Sequence, residues 1–157
     1  MDQFTMPNYR MNRTALTILT VTALCSCQTK QADIPLAGTW ELVSATTIEK
    51  DSSFSTFDPT HKMIKILNAT HFAFLNHAVN VPADSSHAFT AGGGTYTLTD
   101  STYTENLAYF SDKKWENNAF KFTVRIVGDT LIQKGVEKIE KLGIDHVIIE
   151  KYKRVGN

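Results

Sequence analysis

Residues 92–110 read GGGTYTLTDSTYTENLAYF, and no other stretch restricts the fold of this chain as strongly. Thr95, Thr97 and Thr99 alternate with Tyr96 and Leu98. Asp100 and Ser101 interrupt, and Tyr103, Glu105, Leu107 and Tyr109 then alternate with Thr104, Asn106 and Ala108. Side chains along a strand point to opposite faces with a period of two, so alternation on both sides of a short polar break specifies a β-hairpin. Loop length sets register: with Asp100 and Ser101 as the loop, Thr99 faces Thr102, Leu98 faces Tyr103, Thr97 faces Thr104 and Tyr96 faces Glu105. One face is then bulky and mostly apolar, the other a ladder of threonines.

The N-terminus is set aside before any fold is considered. Arg10 and Arg13 precede the apolar run ALTILTVTAL at 15–24, ten residues against the roughly 20 that a membrane-spanning helix requires. Small residues follow, the pattern of a secretory signal peptide, with Met1, Met6 and Met11 all possible starts. The only cysteines, Cys25 and Cys27, end the run. Leu24-Cys25-Ser26-Cys27 resembles a bacterial lipobox, in which a Leu lies three before, and a small residue one before, a Cys that takes lipid and becomes the mature N-terminus. Cys27 meets both conditions, whereas Leu24 occupies the position before Cys25 that must be small. The alternatives are an ordinary signal peptide with incidental cysteines and a Cys25–Cys27 disulfide, which the Cα separation disfavours.

The expected organisation is therefore a signal peptide at 1–26, a lipidated Cys27 with a polar tether over 27–35, and one domain at 36–155. The expected address is the outer membrane, facing the periplasm, because no acidic run follows Cys27. Cleavage before Cys27 leaves 131 residues in which the lipidated Cys27 is the single cysteine, so the domain has no disulfide, no thiol catalysis and no zinc-thiolate site. Those residues carry 14 basic and 15 acidic side chains, a balance that gives no case for a nucleic-acid partner.

The remaining segments read as β-structure with short breaks. Strands are expected over 40–48, 62–67, 70–76, 120–127, 130–134 and 145–154, besides the two of the hairpin. Residues 51–59 (DSSFSTFDP) read as a loop whose Phe54 and Phe57 pack over the body of the domain. Residues 79–88 read as a loop with Pro82, 111–118 as a polar connection carrying Trp115, and 135–143 as containing one helical turn. The glycine triplet at 92–94 marks a bulge or tight bend. About eight strands at short spacing, with neighbours in sequence joined by hairpins, predict an all-β, up-and-down antiparallel barrel.

Gly38-x-Trp40 opening the first strand, with Arg154 ending the last, is similar to the signature of the calycins, the lipocalin and fatty-acid-binding-protein superfamily. Residues 92–110 also resemble the lipocalin-like lipoproteins of Bacteroidetes. The resemblance implies that Trp40 closes the bottom of the barrel beneath the Arg154 guanidinium. It also implies a cup that binds a small hydrophobic or amphipathic molecule.

Tyr96, Tyr103, Glu105, Leu107 and Tyr109 share a face in the hairpin register and are the candidate ligand contacts. Glu105 facing inward needs a partner, and Arg125 on the following strand is the expected one; an outward Glu105–Arg125 pair is the plainer alternative, worth at most about 1 kcal/mol. His71 and His77 share a strand face but lack a third ligand, and His61, His87 and His146 fall in or beside loops, so neither a metal nor another cofactor is expected. No Ser-His-Asp order with a nucleophile elbow and no HExxH occurs. The function expected is binding rather than catalysis, with a filled barrel that contacts another protein, or a small enzyme using the cavity, as alternatives.

Overall fold

A computed structural model describes residues 34–79 and 89–156, together with Met1. The signal peptide, Cys25, Cys27, most of the tether and the loop with Pro82 lie outside the described residues. Nine strands form: β1 (Gly38–Glu49), β2 (Ser52–Ser55), β3 (His61–Leu67), β4 (His71–Ala78), β5 (Phe89–Thr99), β6 (Thr102–Phe110), β7 (Asn118–Val127), β8 (Thr130–Ile139) and β9 (Ile144–Arg154). β1 and β3 to β9 pair antiparallel in sequence order, and β1 pairs again with β9. The result is a closed eight-stranded barrel, up-and-down as expected, with β2 as an extra strand on β1. Closure leaves no long open edge in the barrel wall.

The central hairpin adopts the register read from its loop length, from Thr99↔Thr102 to Tyr96↔Glu105. Asp100 makes the turn in the left-handed region at φ 54°, which Asp tolerates better than most residues. The expected bulge is present: Gly94 pairs with Leu107 and Gly93 with Tyr109, leaving Ala108 as the extra residue. A Cβ on Gly94 would run into the backbone of Asn106 and Ala108, and one on Gly92 would meet the rings of Phe74 and Phe110 at 2.5 and 2.8 Å. The triplet thus lets two backbones close up around the bulge and two rings meet over Gly92.

Residues 51–59 depart from expectation. They form β2, whose Ser52–Ser55 pair with the end of β1, and Phe54 and Phe57 are exposed rather than packed over the body of the domain. Residues 135–139 extend β8, so the helical turn contracts to a single 3-10 turn at Glu140–Leu142. Residues 113–115 form another, with Asp112 accepting the Lys114 N–H at its start, which turns Trp115 back toward the barrel.

The two ends of the barrel differ. The tight turns at 68–70, 100–101 and 128–129 gather at one end with the start of β1 and the finish of β9; the described longer connections, at 111–117, at 140–143 and through β2, lie at the other. The tight-turn end is sealed as the sequence implied. Trp40 is fully buried, and the Arg154 guanidinium carbon lies 4.0 Å from the centre of its ring. Arg154 donates to the carbonyls of Ala37 at 2.9 Å and Pro35 at 2.8 Å, and the indole N–H donates to Leu36 O at 2.8 Å. Gly38 is required here on two counts: its φ is +139°, and a Cβ would stand 2.5 Å from Arg154 Nη1. The spacing Gly38-x-Trp40 is therefore a consequence of laying a guanidinium across an indole with backbone beneath it.

Gly38→Ala should lower unfolding free energy by about 2 kcal/mol through backbone strain and displacement of the guanidinium. Arg154→Ala should cost about 1–2 kcal/mol, and Arg154→Lys should recover less than half, because an ammonium lacks the planar fork that reaches two carbonyls. Urea unfolding midpoints at constant m-value check all three.

Candidate functional site

Inside the barrel the inward-facing side chains divide into an aromatic half and a polar half. Phe74, Phe110, Trp115, Phe120, Phe122, Tyr103 and Tyr96 form a continuous chain of ring contacts, with successive centroids 5.1 to 6.5 Å apart. This chain fills the interior along β4 to β7.

The polar half centres on Lys65, whose side chain is almost wholly buried. Its ammonium donates to Glu105 Oε1 at 2.8 Å and to Gln133 Oε1 at 3.0 Å, and it lies 5.2 to 5.9 Å from the ring centres of Tyr152, Tyr103 and Phe72. Gln133 Nε2 donates in turn to Glu150 Oε2 at 3.4 Å, and Tyr152 donates to the same oxygen at 2.6 Å. Burial pulls the Lys65 ammonium down, but the carboxylates of Glu105 and Glu150 outweigh it and hold its pKa above the ordinary lysine value. At 2.8 Å and an effective dielectric near 20 the Lys65–Glu105 attraction is about 6 kcal/mol, comparable to the several kcal/mol per ion of desolvation. The pair therefore fixes which groups meet more than it adds net stability.

Burial also raises the carboxyls of Glu150 and Glu137 above the ordinary Glu value. Glu137 Oε2 lies 3.0 Å from His146 Nε2. Burial first, and the Glu105 carboxylate second, push the Tyr103 phenol far upward, and its buried hydroxyl meets no hydrogen-bond partner among the described residues. Tyr103 is thus a neutral phenol at physiological pH, and Glu105 is committed to Lys65.

A cup of about 180 Å³ opens beside this network at the end opposite Trp40, lined by Leu42, Ala45, Thr56, Phe57, Asp58, His61, Met63, Asn76 and Glu150. Local sequence explains it. Val43 is the extra residue of a bulge between Leu42 and Ser44, so Leu42 and Ala45 both face in although three apart, and small Ala45 stands opposite Glu150. Asp58 accepts from the Thr60 N–H and hydroxyl and holds His61 Nδ1 at 2.8 Å, which fixes the rim. Asn76 Oδ1 is buried with no partner among the described residues. Larger hollows lie on the outer wall: one of about 610 Å³ over β7, β8 and β9, and one of about 440 Å³ beside the glycine triplet.

Of the residues expected to contact a ligand, Tyr96, Tyr103, Glu105 and Leu107 face the interior and are packed into it. Tyr109 does not: the extra residue Ala108 reverses the alternation, leaving Tyr109 71% exposed and turning Phe110 inward. Arg125 is also corrected. It alternates outward between buried Val124 and partly buried Ile126, on the face opposite to Glu105, so the expected pair cannot form in either orientation. Lys65 takes that place. The sequence reading missed Lys65, Gln133 and Glu150, as well as the cup residues. His71 and His77 are exposed on the outer wall, and among the described residues no three His, Cys, Asp or Glu side chains are placed to hold a metal ion.

Lys65→Met should destabilise the barrel by about 3–5 kcal/mol because Glu105 is left buried without a partner, and adding Glu105→Leu should restore most of the loss; denaturant unfolding of the single and double variants measures both. The pH dependence has a fixed sign. Raised carboxyls bind protons more tightly in the folded state, so Glu137 and Glu150 make stability fall as pH rises from about 4.5 through their folded values. Asp58 and Asp129, exposed and lowered by hydrogen bonds led by Thr60 and Lys153, act in the opposite sense below about pH 4. Melting temperature against pH should therefore be flatter above pH 4.5 for Glu150→Gln than for the unaltered protein.

Neither a curated protein nor a solved structure matches the chain. Residues 35–157 fit the family model described as "Domain of unknown function (DUF4488)". That range contains every strand of the barrel, the Trp40–Arg154 seal and the cup, and the chain belongs to the DUF4488 family.

Proposed function

We propose that this protein is a lipocalin-like binding protein of the cell envelope, anchored by lipid on Cys27, that takes a small amphipathic molecule into the cup at the open end of its barrel. The cup carries the reading. It combines an apolar wall of Leu42, Ala45, Phe57 and Met63 with a small polar set, Asn76, His61 and Glu150, beside a buried network that holds Glu150 in place. Its exposed lining is more polar than the mostly apolar pockets usual for small molecules, which suits a ligand held by a polar head group. A volume of about 180 Å³ lies below the roughly 300–1,000 Å³ common for drug-sized ligands. A long acyl chain is accordingly outside its reach, and the aromatic chain blocks extension across the barrel.

A second reading, a filled barrel that contacts another macromolecule, draws on the outer wall. The hollow over β7 to β9 has Ile132, Val136, Val147 and Ile149 at its floor and Arg125, Lys134 and Lys151 around them. Such a surface suits an acidic, partly apolar partner.

Native mass spectrometry of protein purified from its own host should retain a small adduct that Ala45→Leu, which fills the cup, eliminates without unfolding the barrel. An adduct that survives Ala45→Leu would move the binding reading away from the cup. Cys27→Ser should shift the protein from the membrane fraction to the soluble periplasmic fraction, and unchanged fractionation would remove the anchor.

A further inference from the structure

We infer that the cup is a site for a small primary ammonium group, an inference that rests on the ligand-binding reading of the same cup and specifies its ligand. The cup's lining supplies acceptors from Glu150, Asn76, His61 and Asp58. Both hydrogen bonds made to Glu150 among the described residues fall on Oε2, from Tyr152 and Gln133. Oε1 of the same carboxylate receives none of them. Asn76 Oδ1 is buried and has no partner among the described residues.

The tautomer of His61 follows from its neighbours. The Thr60 hydroxyl gives its hydrogen to Asp58 Oδ1 at 2.6 Å, so it has none for His61; Nδ1, 2.8 Å from Asp58 Oδ2, must carry the hydrogen of the neutral ring. Nε2 is then an acceptor. Glu150, Asn76 and His61 all line this one cup, and a primary ammonium is the small head group that brings three donors and no acceptor. Thr56 adds a hydroxyl at the rim.

Charge points the same way. Glu105, Glu137 and Glu150 face the interior, against Lys65 and the His146 that pairs with Glu137. A bound monocation moves this set toward neutrality, whereas a bound carboxylate would add a further anion to a poorly solvated space. The upward shift of the Glu150 carboxyl by burial adds a consequence: a cation beside it favours the ionised form, so uptake of the ammonium is linked to loss of a proton. Leu42, Met63, Ala45 and Phe57 then receive the alkyl part. At ~30 Å³ per water, the cup's 180 Å³ corresponds to about six waters, room for an ammonium with a chain of about four carbons.

Three probes of nearly equal size and different head groups test this: n-butylammonium, n-butanol and butyrate, titrated into the full chain at neutral pH while backbone amide shifts are followed by NMR. Butylammonium should shift resonances of Ala45, His61, Met63 and Asn76 and bind roughly tenfold tighter than butanol, a difference of about 1.4 kcal/mol, with butyrate showing no saturation. In Glu150→Gln the preference for the amine over the alcohol should fall to within about threefold. Should that variant fail to fold, Asn76→Leu provides a second arm at the mouth and should weaken the amine more than the alcohol. Butanol binding as tightly as the amine, or butyrate binding more tightly than both, would overturn the ammonium assignment and leave the cup as a binding site. If no probe moves the cup resonances while the spectrum shows a folded barrel, the cup reading and the ammonium inference fail together.

Discussion

Pairing of β1 with β9 is the constraint from which the remaining structure follows. β1 is shared: its first residues bond to β3, its last to β2, and Trp40 through Ile48 to β9. Once both ends of the sheet are joined, the interior has a fixed circumference and must be filled, since a void in a protein interior forfeits the contacts of its lining. The seal at the tight-turn end is part of the same closure. Burying an indole of ~200 Å² is worth on the order of 5 kcal/mol at about 25 cal/mol per Å², and the guanidinium of the last residue of β9 covers the indole of the first turn of β1. Sheet pairing and end-sealing thus use the same two strands.

What fills the interior decides where binding can occur. Phe and Tyr side chains from β4 to β7, joined by Trp115 from a connection, pack as one chain of rings, and glycine at 92 is the concession that lets Phe74 and Phe110 meet. The strands β1, β3, β8 and β9 contribute Ala45, Lys65, Gln133 and Glu150 instead. Aliphatic packing cannot satisfy these groups, so they bond one another, and space remains where Ala45 is too short to cover Glu150. The cup lies beside the seam where the two filling schemes meet, between β3 and β4.

The hairpin register was legible because alternation and loop length act locally, and the Trp40–Arg154 seal because the residue types at the two chain ends matched a known signature. Tyr109 was misplaced for a reason equally local: a bulge inserts one residue, and every side chain beyond it changes face. A glycine triplet signals that a bulge is near but not which partner residue is extra. Arg125 was misassigned by charge complementarity with Glu105, although its own strand contradicts it: Phe120, Phe122 and Val124 share one parity, and Arg125 has the other. The same parity argument could have found Lys65. Lys62 and Lys65 are three apart in KMIKIL, so in an unbulged strand they cannot share a face, and one of them must point inward. Glu150 shares parity with Ile148 and Tyr152 in the same way. The cup was not legible, because it depends on β1 bulging at Val43 and on Ala45 coming opposite Glu150, a register between the two ends of the chain that no short-range pattern encodes.

The division between the two ends of the barrel gives this arrangement its functional sense. Where turns are short, backbone bonds such as Val124 N to Ser101 O and Arg154 N to Asp129 O tie neighbouring strands together, and a side chain there is fixed by its neighbours on every side. Where connections are longer, residues such as Asp58, Thr60 and His61 satisfy one another within a few positions and leave the barrel mouth to be shaped separately. Loops carried on a rigid wall are where binding residues concentrate. A buried ion pair, roughly neutral in net energy yet strict in geometry, serves the proposed binding: it holds Glu150 through Gln133 at a set position beside the cup. A core made only of aliphatic groups would hold the barrel as well. It could not present a fixed acceptor to a ligand.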